Sequence, residues 1–268
     1  MNTIKFGTDG WRGVIADDFT FANVRKVACA IARYVVRAEK PSAGVIIGYD
    51  TRYASERFAR AAAEVVSMTG MPVWVAETAC PSPAVSLLVR QRGAAGGIMI
   101  TASHNPYRWN GVKFKASYGS SALPSIVAQV EKELGIVLAN GVPPLPARVE
   151  NIHSLDLLSL YTETIDKLVD WERIRAAKFR FVVDPMHGAA RGLLRALLTR
   201  NGIACDEICA VGDDVNDIPM ILGAGLGVAM GNALDEVKAA ADRIAPGHDS
   251  DGLVAVVDWL LEEQGRHG

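Results

Sequence analysis

No apolar run in the 268-residue chain approaches the roughly 18 residues that a membrane helix needs, so a helical membrane span is not expected. Met1 to Gly10 lacks a basic stretch followed by a hydrophobic core, and no secretion signal is read there. Four cysteines, Cys29, Cys80, Cys205 and Cys209, are widely spread and include no Cys-x-x-Cys pair. That usage suits free thiols in a reducing compartment, and a cytoplasmic location is expected. An excess of one charge is missing too: 28 Lys and Arg stand against 30 Asp and Glu, a net of -2. No nucleic acid and no anionic membrane is therefore expected as a partner. His153, His187 and His248 are too dispersed to propose a zinc site, and Trp74, Trp109, Trp171 and Trp259 read as packing or surface-anchoring aromatics.

What is present is a folded composition, half apolar and 22% charged. At about 150 residues per domain the length allows one large domain or two small ones. The charge is unevenly spread: residues 211–268 hold three Lys and Arg against eleven Asp and Glu, a local -8, leaving 25 against 19, or +6, upstream. Such a shift marks a module boundary or two ligand preferences. Val45 to Tyr49, Val73 to Ala76 and Gly97 to Thr101 are short apolar runs that predict buried strands, and Phe21 to Arg37 and Ser55 to Thr69 have helical spacing. This alternation predicts an α/β layered first domain over residues 1–138. Residues 139–152, rich in proline, read as a linker. Over 153–268 a second α/β domain is expected: a long helix from His153 to Arg175, a strand Phe179 to Val183, a helix Ala189 to Asn201, a strand Asp206 to Val211, then further alternation. Leu253 to Leu261 reads as an amphipathic terminal helix.

The most informative stretch is Thr101-Ala-Ser-His-Asn-Pro-Tyr-Arg-Trp-Asn-Gly-Val-Lys113, directly after an apolar strand. A strand that ends in small and polar residues presents them at the carboxyl edge of a sheet, where α/β proteins bind ligands. Ser103 is then a candidate nucleophile or phosphate carrier, which needs help from a base or a metal. His104 and Lys113 are candidate proton carriers, and Lys113 also suits a phosphate. The same residues equally suit an ordinary hydrogen-bonded turn. Phe6-Gly-Thr-Asp-Gly-Trp-Arg-Gly13 presents Arg12, and Gly48-Tyr-Asp-Thr-Arg52 follows the first clear strand. Glycines admit a phosphate to the backbone and an arginine fork clamps one.

In this order and spacing, FGTDGWRG, GYDTR, ETACPSPAVS and GGIMITASHNP…NGVKFK resemble the first domain of a bacterial phosphoglucomutase/phosphomannomutase of the α-D-phosphohexomutase superfamily. YTETIDKL…VVDPMHGAARGLL resembles the start of that family's second domain, so the likeness covers residues 1–208. The resemblance implies that Ser103 is a phosphoserine exchanging a phosphoryl group with a phosphorylated hexose, of the glucose or mannose series. It further implies that His104 and Lys113 assist proton transfer, and that Arg12 steadies the phosphoryl group. Magnesium would bridge Ser103 and three aspartates of a DGDxDR loop. No DGDxDR, GEESG-like or RPSGTEP-like segment occurs in the chain, so what remains lacks the family's metal cage, sugar selector and distal phosphate clamp.

Instead, residues 209–264, with Val211-Gly-Asp-Asp-Val-Asn-Asp-Ile-Pro-Met220 and Ala224-Gly-Leu-Gly-Val-Ala-Met-Gly-Asn-Ala233, resemble the C-terminal part of Cof-type haloacid dehalogenase phosphatases. That likeness implies that Asp213 and Asp217 are metal-binding. A strand ending in Asp-Asp-x-x-Asp suits magnesium, although an acidic helix cap uses the same pattern. If the strands before Asp184 and Asp213 are parallel neighbours, a right-handed crossover brings both to one sheet edge. Asp184, Asp213 and Asp217 are then expected to compose a Mg2+ site. The fold expected is thus two α/β domains, the second a Rossmann-like parallel-sheet chimera. Three functions follow: a phosphohexomutase-like protein, inactive where later domains are required; a magnesium-dependent phosphatase; or a non-catalytic natural or engineered domain chimera. A truncated sheet exposes an edge that invites homo-oligomers.

Overall fold

The computed structural model describes residues 4–7, 10–146, 149–176, 181–183, 188–203 and 208–265. They divide into two compact units, Met1–Glu163 and Thr164–Gly268. Each is an α/β arrangement, as the alternation of patterns predicts. Among the described residues no helix is long and apolar enough to cross a membrane.

In the first unit, β1 (Trp11–Val14), β2 (Val45–Tyr49), β3 (Val73–Ala76), β4 (Gly96–Ile100), β5 (Trp109–Ala116) and β6 (Ile152–Leu155) form one sheet in the order β1-β5-β4-β2-β3-β6. The strands β4, β2, β3 and β6 run parallel, and β5 runs antiparallel to both β4 and β1. Every residue of β2 and β4 is buried, as expected of central strands covered on both faces. The helices are α1 (Phe21–Ala38), α2 (Ser55–Ser67), α3 (Ser82–Arg92), α4 (Pro124–Asn140) and α5 (Leu157–Leu168).

Local chemistry explains their ends and their seats. Thr20 Oγ1 accepts from the Asn23 amide and caps α1, whose Val24, Val27, Ala28, Ile31 and Val35 form the buried stripe. α1 is tied to α4 by Glu133, 3% exposed, which receives Arg33 Nε at 2.7 Å and also Arg37. α3 lies close on the sheet because Gly48 of β2 and Gly97 of β4 lack side chains on that face. A Cβ at Gly48 would stand 2.4 Å from Val85 Cγ2, and one at Gly97 would stand 2.7 Å from Val89 Cγ2.

Two expectations for the middle of the chain are corrected. The helix expected from His153 to Arg175 is a strand and two helices: β6, α5 and α6 (Trp171–Ala176). Asp156 accepts from the Ser159 amide and Asp170 from the Arg173 amide, so each starts a new helix with its own cap. The boundary also differs from one placed at 139–152. Residues 152–155 pair with β3 and extend the first sheet, so the first unit continues to Glu163.

The second unit contains β7 (Phe181–Val183), α7 (Leu193–Arg200), β8 (Ile208–Gly212), α8 (Ile218–Leu222), β9 (Leu226–Ala229), α9 (Asp235–Ala240), β10 (Arg243–Ile244) and α10 (Gly252–Gly265). The four strands are parallel in the order β10-β9-β8-β7. Val256 and Leu260 of α10 pack with Cys209, Val211 and Val228, while Ile221 of α8 and Val237 of α9 pack with Ala229. The expected parallel pairing of the strands before and after α7 is present. Cys29, Cys80 and Cys209 are buried; Cys205 lies outside the described residues.

Candidate functional site

β2 and β4 are parallel neighbours, so their carboxyl ends open at one edge, and the Asp50 amide donates to Ile100 O at 3.1 Å across that opening. From Ile100 the chain turns through residues 101–108 and returns as β5. Ser103, at the apex, is exposed and holds a positive φ of 58°, a left-handed conformation disfavoured for a residue with a Cβ. Its amide donates to Thr101 Oγ1 at 3.1 Å, and its Oγ lies 3.4 Å from Nδ1 of the exposed His104. The hydroxyl and imidazole predicted from the sequence therefore stand side by side at the sheet edge.

Strand register relates Arg12 to Lys113. Arg12 of β1 lies opposite Gly111 of β5, and Lys113 lies two residues further along β5, so both stand on one face as diagonal neighbours. Gly111 makes this close approach possible, since a Cβ there would stand 2.6 Å from Thr101 O and 2.8 Å from Trp11 O. Arg12 Nη1 donates to Asn105 Oδ1 at 2.7 Å, which places a cation against the loop that carries Ser103.

Arg52 behaves otherwise than a phosphate clamp. Its Nη2 donates to Ser103 O and Asn105 O at 2.7 Å each, and its Nη1 to Pro106 O and Trp109 O at 3.0 Å each. Nε lies 3.2 Å from Asp50 Oδ2. Asp50 Oδ1 accepts from the Arg52 amide and from Ser55 Oγ, at 3.0 and 2.9 Å. Ser55 Oγ in turn accepts from Asn110 Nδ2, and Asn110 Oδ1 accepts from the Gly111 amide, both at 2.8 Å. Asn110, to which the sequence assigns no role beyond membership of the stretch 101–113, is fully buried. Nearby, burial pushes the Cys80 thiol up to about 11, so this sulfur is protonated near neutrality and is no rival nucleophile.

In the second unit the acidic segment follows β8. Asp217 is 1% exposed and its Oδ2 accepts from the amides of Asp213 and Asp214, at 3.1 and 3.2 Å. With Asp214 Oδ1 accepting from the Val215 amide at 2.6 Å, this is a reciprocal cap on a short turn. Asn232 Nδ2 donates to Asp213 Oδ2 at 3.1 Å. Asp217 Oδ1 is buried with no hydrogen-bond partner. Asp184, the third residue expected here, lies outside the described residues.

The two places differ as magnesium sites. Asp50, the acidic residue that holds the Ser103 loop through Arg52, has both carboxylate oxygens engaged by Arg52 and Ser55, a donor set that does not fit the metal. Asp213 and Asp217 fit better, because magnesium takes one or two carboxylates and completes its octahedron with water, and Asp217 Oδ1 is an oxygen without a partner. Among the described residues no group of three His, Cys, Asp or Glu side chains converges as a metal cage.

Two family models match the chain, each over part of one unit. Residues 3–135 match the family described as phosphoglucomutase/phosphomannomutase, alpha/beta/alpha domain I, and residues 191–257 match haloacid dehalogenase-like hydrolase. The phosphoglucosamine mutase of Chromohalobacter salexigens is 30% identical over 272 residues, covering 99% of this chain and 57% of that protein. That of a Picosynechococcus species is 40% identical over 129 residues, or 48% and 27% of the two chains. A Thermus thermophilus crystal structure described as a phosphomannomutase superposes with a TM-score of 0.65 at 34% identity, covering 78% of this chain and 45% of that one. The chain thus spans about half the length of the longest-matching of these relatives.

Proposed function

We propose, from the match of residues 3–135 to the phosphoglucomutase/phosphomannomutase domain I family, that Ser103 is the phosphoryl acceptor and donor for a phosphorylated hexose. The observation that carries the reading is the presentation of Ser103: exposed, at the carboxyl edge of β4, in a left-handed conformation, with an imidazole nitrogen 3.4 Å from its hydroxyl. In the step proposed, Ser103 Oγ bonds to phosphorus, the ester bond from phosphorus to the sugar oxygen breaks, and the sugar leaves as a hydroxyl. The Oγ proton passes to His104, while a proton for the leaving oxygen comes from Lys113 or water. Arg12 offsets charge on the phosphoryl oxygens, which phosphoryl transfer demands more than covalent help.

Interconversion of two hexose phosphates requires in addition a grip on the sugar through both half-reactions. Glucose, mannose and, given the names of the relatives, glucosamine phosphates are the substrates to compare. A hexose 1,6-bisphosphate with a radioactive phosphoryl group should label the protein, and Ser103→Ala should abolish the label. Unlabelled wild type, or a labelled Ser103→Ala, contradicts the proposal.

A second reading rests on the unpartnered Asp217 Oδ1: magnesium held by Asp213 and Asp217, with Asp184 as a further ligand, serving hydrolysis of small phosphate esters. When bound, the metal supplies charge neutralisation at a phosphoryl oxygen. Asn232 orients Asp213 for that task. Calorimetric titration of magnesium should show binding that Asp213→Asn loses; phosphate release should survive Ser103→Ala and fail in Asp213→Asn. Equal magnesium binding by both proteins, or binding by neither, contradicts this reading. A chain silent in both assays is the non-catalytic chimera.

A further inference from the structure

We infer that Arg52 is a positioning residue for the phosphoryl acceptor, holding Ser103 through the main chain of residues 103–109; this rests on the reading of Ser103 as the acceptor. A guanidinium carries five N–H donors in one rigid plane. Here four of them go to carbonyl oxygens of a single seven-residue stretch, those of Ser103, Asn105, Pro106 and Trp109, at 2.7 to 3.0 Å. The fifth, on Nε, faces Asp50 Oδ2 at 3.2 Å. No donor is left over for a phosphate.

This geometry has two consequences for the acceptor. First, the left-handed conformation of Ser103 is one that persists only where the surroundings over-determine it. The bond from Arg52 to Ser103 O on one side and the bond from the Ser103 amide to Thr101 Oγ1 on the other do so. Second, four carbonyl oxygens that would repel an approaching phosphate are gathered onto a cation instead. Arg52 is itself fixed, since Asp50 Oδ2 lies 3.2 Å from its Nε, while Asp50 Oδ1 accepts from its amide and is braced by Ser55. Lysine carries the same charge but only three donors and no planar fork, so it cannot hold four carbonyls at once.

The test uses the full chain with Arg52→Lys, Asp50→Asn and Ser103→Ala, and glucose 1,6-bisphosphate as the phosphoryl donor. Two readouts are taken: amide hydrogen exchange over residues 101–109, where the Asn105 and Trp109 amides bond to Ala102 O and Pro106 O, and the rate of transfer to Ser103. For Arg52→Lys the loop amides should exchange about tenfold faster while β2 and α2 keep their protection. Its transfer rate at saturating bisphosphate should fall about a hundredfold, with the half-saturating concentration nearly unchanged. Asp50→Asn should show the same pattern at smaller size, and it carries the test if Arg52→Lys does not fold. Loop exchange equal to wild type overturns the inference. So does a loss confined to a higher half-saturating concentration, which would make Arg52 a phosphate contact. If wild type takes no phosphoryl group while the variant loop loosens, the reading of Ser103 fails and the hold of Arg52 on the loop stands.

Discussion

Asn110 Nδ2 donates to Ser55 Oγ at 2.8 Å, and this buried pair ties the start of β5 to the start of α2. Ser55 Oγ donates in turn to Asp50 Oδ1, so the pair also braces the partner of Arg52. Replacing Asn110 with leucine keeps the branching at Cγ but leaves the Gly111 amide without its side-chain acceptor. A loss of about 1–3 kcal/mol is expected, the cost of an unsatisfied buried polar group. Urea unfolding should show a lower midpoint at unchanged slope. A midpoint equal to wild type would show that water or a backbone shift satisfies the amide.

Arg12 touches the acceptor loop through a side chain, Asn105 Oδ1, where Arg52 works through carbonyls. Arg12→Gln should therefore leave the fold nearly intact, within about 0.5 kcal/mol, and slow transfer to Ser103 about a hundredfold, as loss of a charge-stabilising donor does. Thermal unfolding and a single-turnover assay check the two halves separately. Destabilisation without a rate effect would reduce Arg12 to a loop anchor.

Glu133 makes stability depend on pH. Burial opposes its charge, yet the hydrogen bonds from Arg33 and Arg37 outweigh burial and hold its carboxyl below the ordinary value of 4.5. A carboxyl with a lowered folded value stabilises the fold fully above its unfolded value, and that contribution is lost as pH falls through the folded value. Glu133→Gln should thus be less stable than wild type at neutral pH, and the gap should narrow in acid below 4.5. Urea midpoints across that range measure it; a gap independent of pH would show that the ion pair contributes nothing specific.

The seat of α3 on the sheet is equally open to test. A methyl group at Gly97 would meet Val89 Cγ2 at 2.7 Å and Val85 Cγ1 at 2.8 Å. Gly97→Ala should cost about 1–3 kcal/mol through overpacking. Adding Val89→Ala should cost less in that background than in wild type, a coupling that a double-mutant cycle reads directly. Simple additivity would mean that α3 shifts freely.

The parts of this fold that the sequence revealed are those where a single periodicity runs unbroken. β2, β3 and α1 lie where apolar runs and helical spacing predict them. β5 was hidden because its buried positions include Asn110 and Gly111, a polar and a small residue chosen for contacts across the sheet. β6 was hidden because it is an edge strand with His153 and Ser154 exposed, which imitates one face of a helix. Ser103 and His104 were legible as a motif, since their chemistry lies in their own side chains. The task of Arg52 was not, because its partners are four main-chain oxygens, and any residue type presents those. Likewise the cap made by Asp217 and a metal ligand at the same place share one sequence pattern, and only the buried, unpartnered Oδ1 distinguishes the oxygen that remains available.

The most direct measurement is peptide mass mapping of the full chain after incubation with glucose 1,6-bisphosphate. Ser103 as acceptor predicts one added phosphoryl group, on the peptide that carries Ser103, and none in Ser103→Ala. A wild-type chain without the added mass, or with it on any other peptide, would contradict that assignment.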